Sequence, residues 1–169
     1  MRDTIMRGVT GGLIAAIPAY IIDQIEHARG LTDMTYPQFS STLVMSKKQS
    51  KGIHGKIMGN TIHALGIAMS GVTTSYILKK TGRDHALIKG LGVGLVQGLL
   101  LAGTLPKLGL LEKPKMARTH TLSLINHIIF GLSCGYLISR MQGNETTVRD
   151  NKVSKPSAKL KLVKKHRMN

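Results

Sequence analysis

Tryptophan is absent from the 169 residues, and only two phenylalanines and four tyrosines stand in for it. A water-soluble domain of this size normally fills its core with large aromatic side chains. Here the apolar mass is Leu, Ile, Val and Ala mixed with 19 glycines, the mixture that lets helices approach closely inside lipid. Cysteine is almost missing too. Cys134 alone excludes an internal disulfide and any zinc site built on paired cysteines, and it carries no information on redox compartment. Acidic residues are scarce: 8 Asp and Glu stand against 24 Lys and Arg, a formal charge of +16. Such an excess points to an anionic partner, either lipid or nucleic acid.

What is present is a set of long uncharged apolar runs. A spanning helix needs about 20 such residues, because the hydrocarbon core is about 30 Å thick and each residue rises about 1.5 Å. Ile57 to Leu78, Thr119 to Ser139 and Gly90 to Pro106 fit that rule. Gly8 to Ile22 is shorter, but Thr4-Ile5-Met6 precedes it, and the long stem of Arg7 can snorkel to the interface. The expected architecture is all-α: a membrane bundle of four transmembrane helices near 5–25, 56–78, 88–108 and 119–140, making one membrane domain over 1–140. The mean hydropathy of +0.03 hides this, because charges crowd the loops and ends. A cleaved signal peptide is the rival reading of the first run. No clear small-x-small cleavage site follows before Asp23, and Pro18 interrupts the run, so a retained span is expected.

Four spans put both termini on one side. With the termini in the cytoplasm, Arg2, Arg7, Lys79, Lys80, Arg83, Lys89 and the basic tail lie inside. Arg29, Lys47, Lys48, Lys51, Lys56, Lys107, Lys113, Lys115 and Arg118 remain outside. The positive-inside rule favours that orientation, although the balance reverses without the tail. Tyr76 and Tyr136 would then sit in the inner aromatic belt. The tail, 141–169, is polar, contains Pro156 and reads as a disordered cytoplasmic segment. Lys159, Lys161, Lys164, Lys165 and Arg167 are its candidate contacts to anionic headgroups, each worth about 1 kcal/mol near the surface. Nucleic acid is the weaker reading, since no stacking aromatic or recognisable binding fold accompanies the charge. The long connection 28–52 reads as plain loop or as an interfacial turn around Tyr36-Pro37-Gln38-Phe39.

Within the spans, small residues form stripes at helical spacing: Gly8 and Gly12, then Gly90, Gly94 and Gly98, then Gly131 and Gly135. They mark close helix packing, either within the chain or against another copy or membrane partner. Polar groups at depth are Asn60, His63, Gln97, Asn126 and His127. The two histidines stand at similar depth on helices running the same way. Interhelical hydrogen bonding is the plainest reading of these groups. A polar path for a proton or solute is the next, and axial ligation of a haem by His63 and His127 is a third. Asp23 and Glu26, with His27, His54 and His120 near the same face, read as ordinary helix-end charges at the interface, with an ion or metal entrance as the alternative. The sequence contains no nucleophile elbow, phosphate loop or zinc spacing, so no enzyme, metal or cofactor is expected from it.

Two further patterns concern history rather than chemistry. Arg7-Gly8-Val9-Thr10-Gly11-Gly12-Leu13 is echoed by Lys89-Gly90-Leu91-Gly92-Val93-Gly94-Leu95, and the second and fourth spans each carry a deep histidine, glycines and a late tyrosine. Two helical hairpins in parallel repeat would produce this. The stretch from about 55 to 140 also resembles small, uncharacterised multispanning proteins of Firmicutes. The likeness lies in His63 with its following glycines, the Lys89-Gly90 entry and Asn126-His127 before Phe130-Gly131 and Gly135-Tyr136. It implies a bacterial cytoplasmic-membrane address and transfers no activity. Together these features lead to a non-enzymatic structural or interaction protein of the cell membrane, with a small-solute or ion transporter or channel subunit as the alternative.

Overall fold

A computed structural model describes residues 2–154, and all regular structure in it is helical. The first span is made of α1 (Arg2–Ala15) and α2 (Ile17–Ala28), separated only at Ala16. Pro18 explains the interruption, since its ring disfavours the α conformation before it and removes one N–H donor. The ladder resumes across the break through Ala16 N to Gly12 O at 3.1 Å and Tyr20 N to Ala16 O at 2.9 Å. Two short helices follow, α3 (Tyr36–Ser41) and α4 (Lys47–Ser50). The second span is α5 (Ile53–Thr81), which stops at Gly82, φ +81°, a left-handed conformation suited to glycine. The third comprises α6 (Ala86–Leu99), one π turn (Leu100–Thr104) and α7 (Leu105–Lys107). Pro106 cannot donate to the carbonyl one turn back, and the wider turn directly before it absorbs that loss. The fourth span opens α8 (Ala117–Ser154).

Among the described residues, four helical segments are long and apolar enough to cross a membrane: Asp3–Ala28, Ile53–Thr81, Ala86–Lys107 and Ala117–Gly143. Their burial pattern is the reverse of a soluble domain. Large apolar side chains such as Ile17, Ile21, Leu65, Met69, Val96 and Leu99 are exposed, whereas the buried set is dominated by small and polar residues. Lipid is the solvent that makes this arrangement favourable. The chain is thus an all-α, multi-pass membrane bundle. Its α8 continues to Ser154, past the point near residue 140 where the sequence suggests an end. No proline occurs in α8 before Pro156 to stop it. Lys159, Lys161, Lys164, Lys165 and Arg167 lie outside the described residues.

Glycine decides the helix pairing. A Cβ at Gly12 would press on the Gly71 backbone, and one at Gly94 would press on that of Gly131. Likewise Gly8 meets Gly71 and Val72, and Gly90 meets Gly131 and Gly135. The first span therefore packs against the second backbone to backbone, and the third does the same against the fourth. The two pairs use equivalent positions, since Gly8 and Gly12 stand to Gly71 as Gly90 and Gly94 stand to Gly131. In that register Gly71-Val72-Thr73-Thr74-Ser75-Tyr76 aligns with Gly131-Leu132-Ser133-Cys134-Gly135-Tyr136. His63 then matches Ser123, not His127, so the two deep histidines sit one helical turn apart in the repeat. Between the pairs lies an apolar core of Ala15, Ala16, Ala19, Ile67, Leu78, Phe130, Cys134 and Ile138.

Candidate functional site

The middle of the long connection forms the short helix around Tyr36-Pro37-Gln38-Phe39 and turns inward, while its ends, such as Leu31, Leu43 and Val44, stay exposed. Thr32, Met34, Thr35, Pro37 and Ser41 are buried, and α3 packs against α5. Thr35 opens α3 as an N-cap: Thr35 N donates to Gln38 Oε1 at 3.2 Å, and Gln38 N returns to Thr35 Oγ1 at 3.5 Å. Gly59 accepts the main chain of Pro37 where a Cβ would collide with its carbonyl. This docking drives Tyr36 between the spans. Its ring stacks on His63, centroids 5.4 Å apart and planes 19° from parallel, and meets His127 edge-on at 5.6 Å. Its hydroxyl donates to Ser123 O at 3.3 Å, and its main-chain N–H donates to Asp23 Oδ2 at 3.0 Å. Burial, then the neighbouring Asp23 carboxylate, pushes the Tyr36 phenol well above its ordinary value. It remains a neutral donor at any physiological pH.

Asp23 and Glu26 require a correction to the sequence reading. They are 2% and 8% exposed, facing inward from α2 rather than sitting as solvated helix-end charges. The Glu26 carboxylate accepts from Asn126 Nδ2 at 2.9 Å, and Asp23 accepts additionally from Gln24 Nε2 at 3.2 Å. His127 Nδ1–H donates to Ser123 O at 2.7 Å, which leaves Nε2 of the neutral ring as an acceptor. Two cavities flank Tyr36. The outer one is lined by Asp23, Glu26, Thr32, Phe39, His120 and Ser123, and the inner one by Tyr20, His63, Gln97, Asn126, His127 and Phe130, with Tyr36 in the wall of both. Their volumes, about 30 and 20 Å³, each admit one or two water molecules.

Four of the five polar residues singled out from sequence converge here: His63, His127, Asn126 and Gln97. Gln97 Oε1 is buried without a hydrogen bond. Asn60 stands apart on an exposed face, donating to Lys56 O at 2.9 Å and accepting from Tyr20 Oη at 3.3 Å. The glycines Gly8, Gly12, Gly90, Gly94, Gly131 and Gly135 lie in the helix seams, and Gly98 lies against the side chain of His127. The Tyr36 ring touches both imidazoles, so a haem gripped by His63 and His127 would have to displace it. Sequence reasoning missed Thr32, Tyr36 and Ser123 as site residues, and it placed Asp23 and Glu26 first as helix-end charges and only second as an ion entrance. One signal points to the acids: Gly12, Ala16, Ala19, Asp23 and Glu26 follow one another at spacings of three and four, so the small-residue face runs straight into them.

No family model, curated protein or solved structure matches this chain.

Proposed function

We propose that this multi-pass protein belongs to the cytoplasmic membrane, with both termini inside, and that it moves a small polar solute or ion rather than serving only as a scaffold. One observation carries the reading. Tyr36, inserted from an extramembrane connection, separates an outer cavity with two buried carboxylates from an inner cavity with two imidazoles. Ionisable residues within a bundle are costly and mark ligand or ion paths. A scaffold gains nothing from them that Ser or Asn would not supply. Below the inner cavity, Ile67, Phe130, Cys134 and Ile138 pack together as the apolar core of the bundle. In this reading Tyr36 is the movable element between the two cavities. The glycine seams bear on the choice as well. They are filled by neighbouring helices of the same chain, which leaves fewer close-packing faces for a separate membrane partner. No catalytic reaction is assigned, and no cofactor is required by this reading. Anionic headgroups remain the proposed partners of the basic tail.

The test is reconstitution into liposomes loaded with dyes sensitive to pH, sodium or potassium. Wild-type protein is expected to dissipate at least one imposed gradient faster than empty vesicles, with His127→Ala and Tyr36→Ala altering the rate. Rates equal to background for all three gradients, with correctly inserted protein, would overturn the proposal.

A further inference from the structure

The outer cavity has more acceptor capacity than the protein uses. Asp23 Oδ2 and Glu26 Oε2 carry the hydrogen bonds from Tyr36, Gln24 and Asn126, and Oδ1 and Oε1 receive none from the described residues. Thr32, 5% exposed and lining the same cavity, has its Oγ1 buried without any partner. The Thr32 carbonyl is held by His27 Nδ1–H at 3.1 Å, which fixes this residue beside the two acids. Neither carboxylate has an ion-pair partner among the described residues. His120 also lines this cavity, and the Arg118 guanidinium donates to Gly30 O at 3.1 Å. Two buried carboxyl groups side by side without an ion-pair partner are relieved by a proton or by a positive ligand, because water satisfies their hydrogen bonds without balancing their charge.

We infer that Asp23, Glu26 and Thr32 form a binding site for a hard, oxygen-ligated cation on the outer side of Tyr36. Carboxylate and hydroxyl oxygens suit alkali and alkaline-earth ions, and a cavity of about 30 Å³ admits one such ion with a remaining water. The Asn126–Glu26 hydrogen bond and the Tyr36–Asp23 hydrogen bond link this site to the inner cavity. A cation here therefore also bears on the element that separates the two. This inference rests on the reading of the polar interior as a ligand site, but it stands or falls on binding and not on movement across the membrane.

The full chain, purified in detergent, is unfolded by heat in choline chloride and in matched sodium, potassium, magnesium or calcium chloride. At least one metal ion is expected to raise the midpoint saturably, by about 5–10 °C at a hundredfold excess over its Kd. The alkali and alkaline-earth arms identify the class. Asp23→Asn with Glu26→Gln should abolish the shift while raising the midpoint in choline, since it removes the uncompensated charge. Thr32→Val deletes one oxygen and no charge, and should weaken the affinity about tenfold. It keeps the test open where the double variant does not fold. Midpoints identical in all five salts, or an affinity unchanged by Thr32→Val and the double variant, overturn the inference. Binding without liposome flux removes the transport proposal and leaves the cation site standing; flux with no cation response does the reverse.

Discussion

The Tyr36 ring lies flat against the His63 imidazole, with centroids 5.4 Å apart. One residue comes from the extramembrane connection, the other from about 15 Å down α5, ten residues after its start. Their stacking ties a segment outside the membrane to the interior of the bundle. Tyr36→Phe keeps the ring and loses only the hydrogen bond to Ser123 O, so a stability loss of about 1 kcal/mol is expected. Tyr36→Ala removes the ring and should cost about 3 kcal/mol. It should also free the 28–52 segment, read as faster hydrogen exchange there. Equal losses for the two variants would contradict a packing role for the ring.

Gly59 offers an independent handle on the same docking. Its Cα hydrogen faces the Pro37 main chain, where no side chain fits. Gly59→Ala should lift α3 from α5 and expose the connection to limited proteolysis, with the four spans still inserted. Gly92 is the control, since a methyl group there would meet no atom within 4 Å. Gly92→Ala should leave the digestion pattern unchanged.

The glycine seams predict a sharp positional contrast. Gly94→Val and Gly131→Val drive a branched side chain into opposing backbone and should separate the third and fourth spans. Gly103→Val, at a position with open space, should be tolerated. Protein yield and thermal midpoint in detergent read the difference, and similar behaviour of all three variants would refute the pairing.

Asn126 is 1% exposed and its amide donates to Glu26. Asn126→Leu leaves that buried carboxylate short of a donor and should cost about 1–3 kcal/mol. Combining it with Glu26→Gln should recover part of the loss, giving a coupling of about 1 kcal/mol in a double-mutant cycle. Strict additivity would show that the bond contributes nothing.

Orientation is open to direct measurement. Cysteines introduced at Lys80 and Lys113, in a Cys134→Ala background, should label from opposite sides of intact cells, with Lys80 protected until the cytoplasm is opened. The reverse labelling would place the termini outside.

Composition and run length alone determined the class of this protein. Glycine-rich apolar segments of about 20 residues have one stable solution, a helix in lipid, because no other backbone arrangement satisfies its hydrogen bonds there. The seam glycines were legible for the same reason, since spacing on a helix is local. Tyr36 was not. Its neighbours in sequence are those of an ordinary polar loop, and only the gap at Gly59 and the faces of His63 and His127 give it a place to insert. Asp23 and Glu26 show the same division. Sequence located them at a helix end, and tertiary packing alone settled that they turn inward, because burial depends on which neighbours cover a face and not on the residue that occupies it.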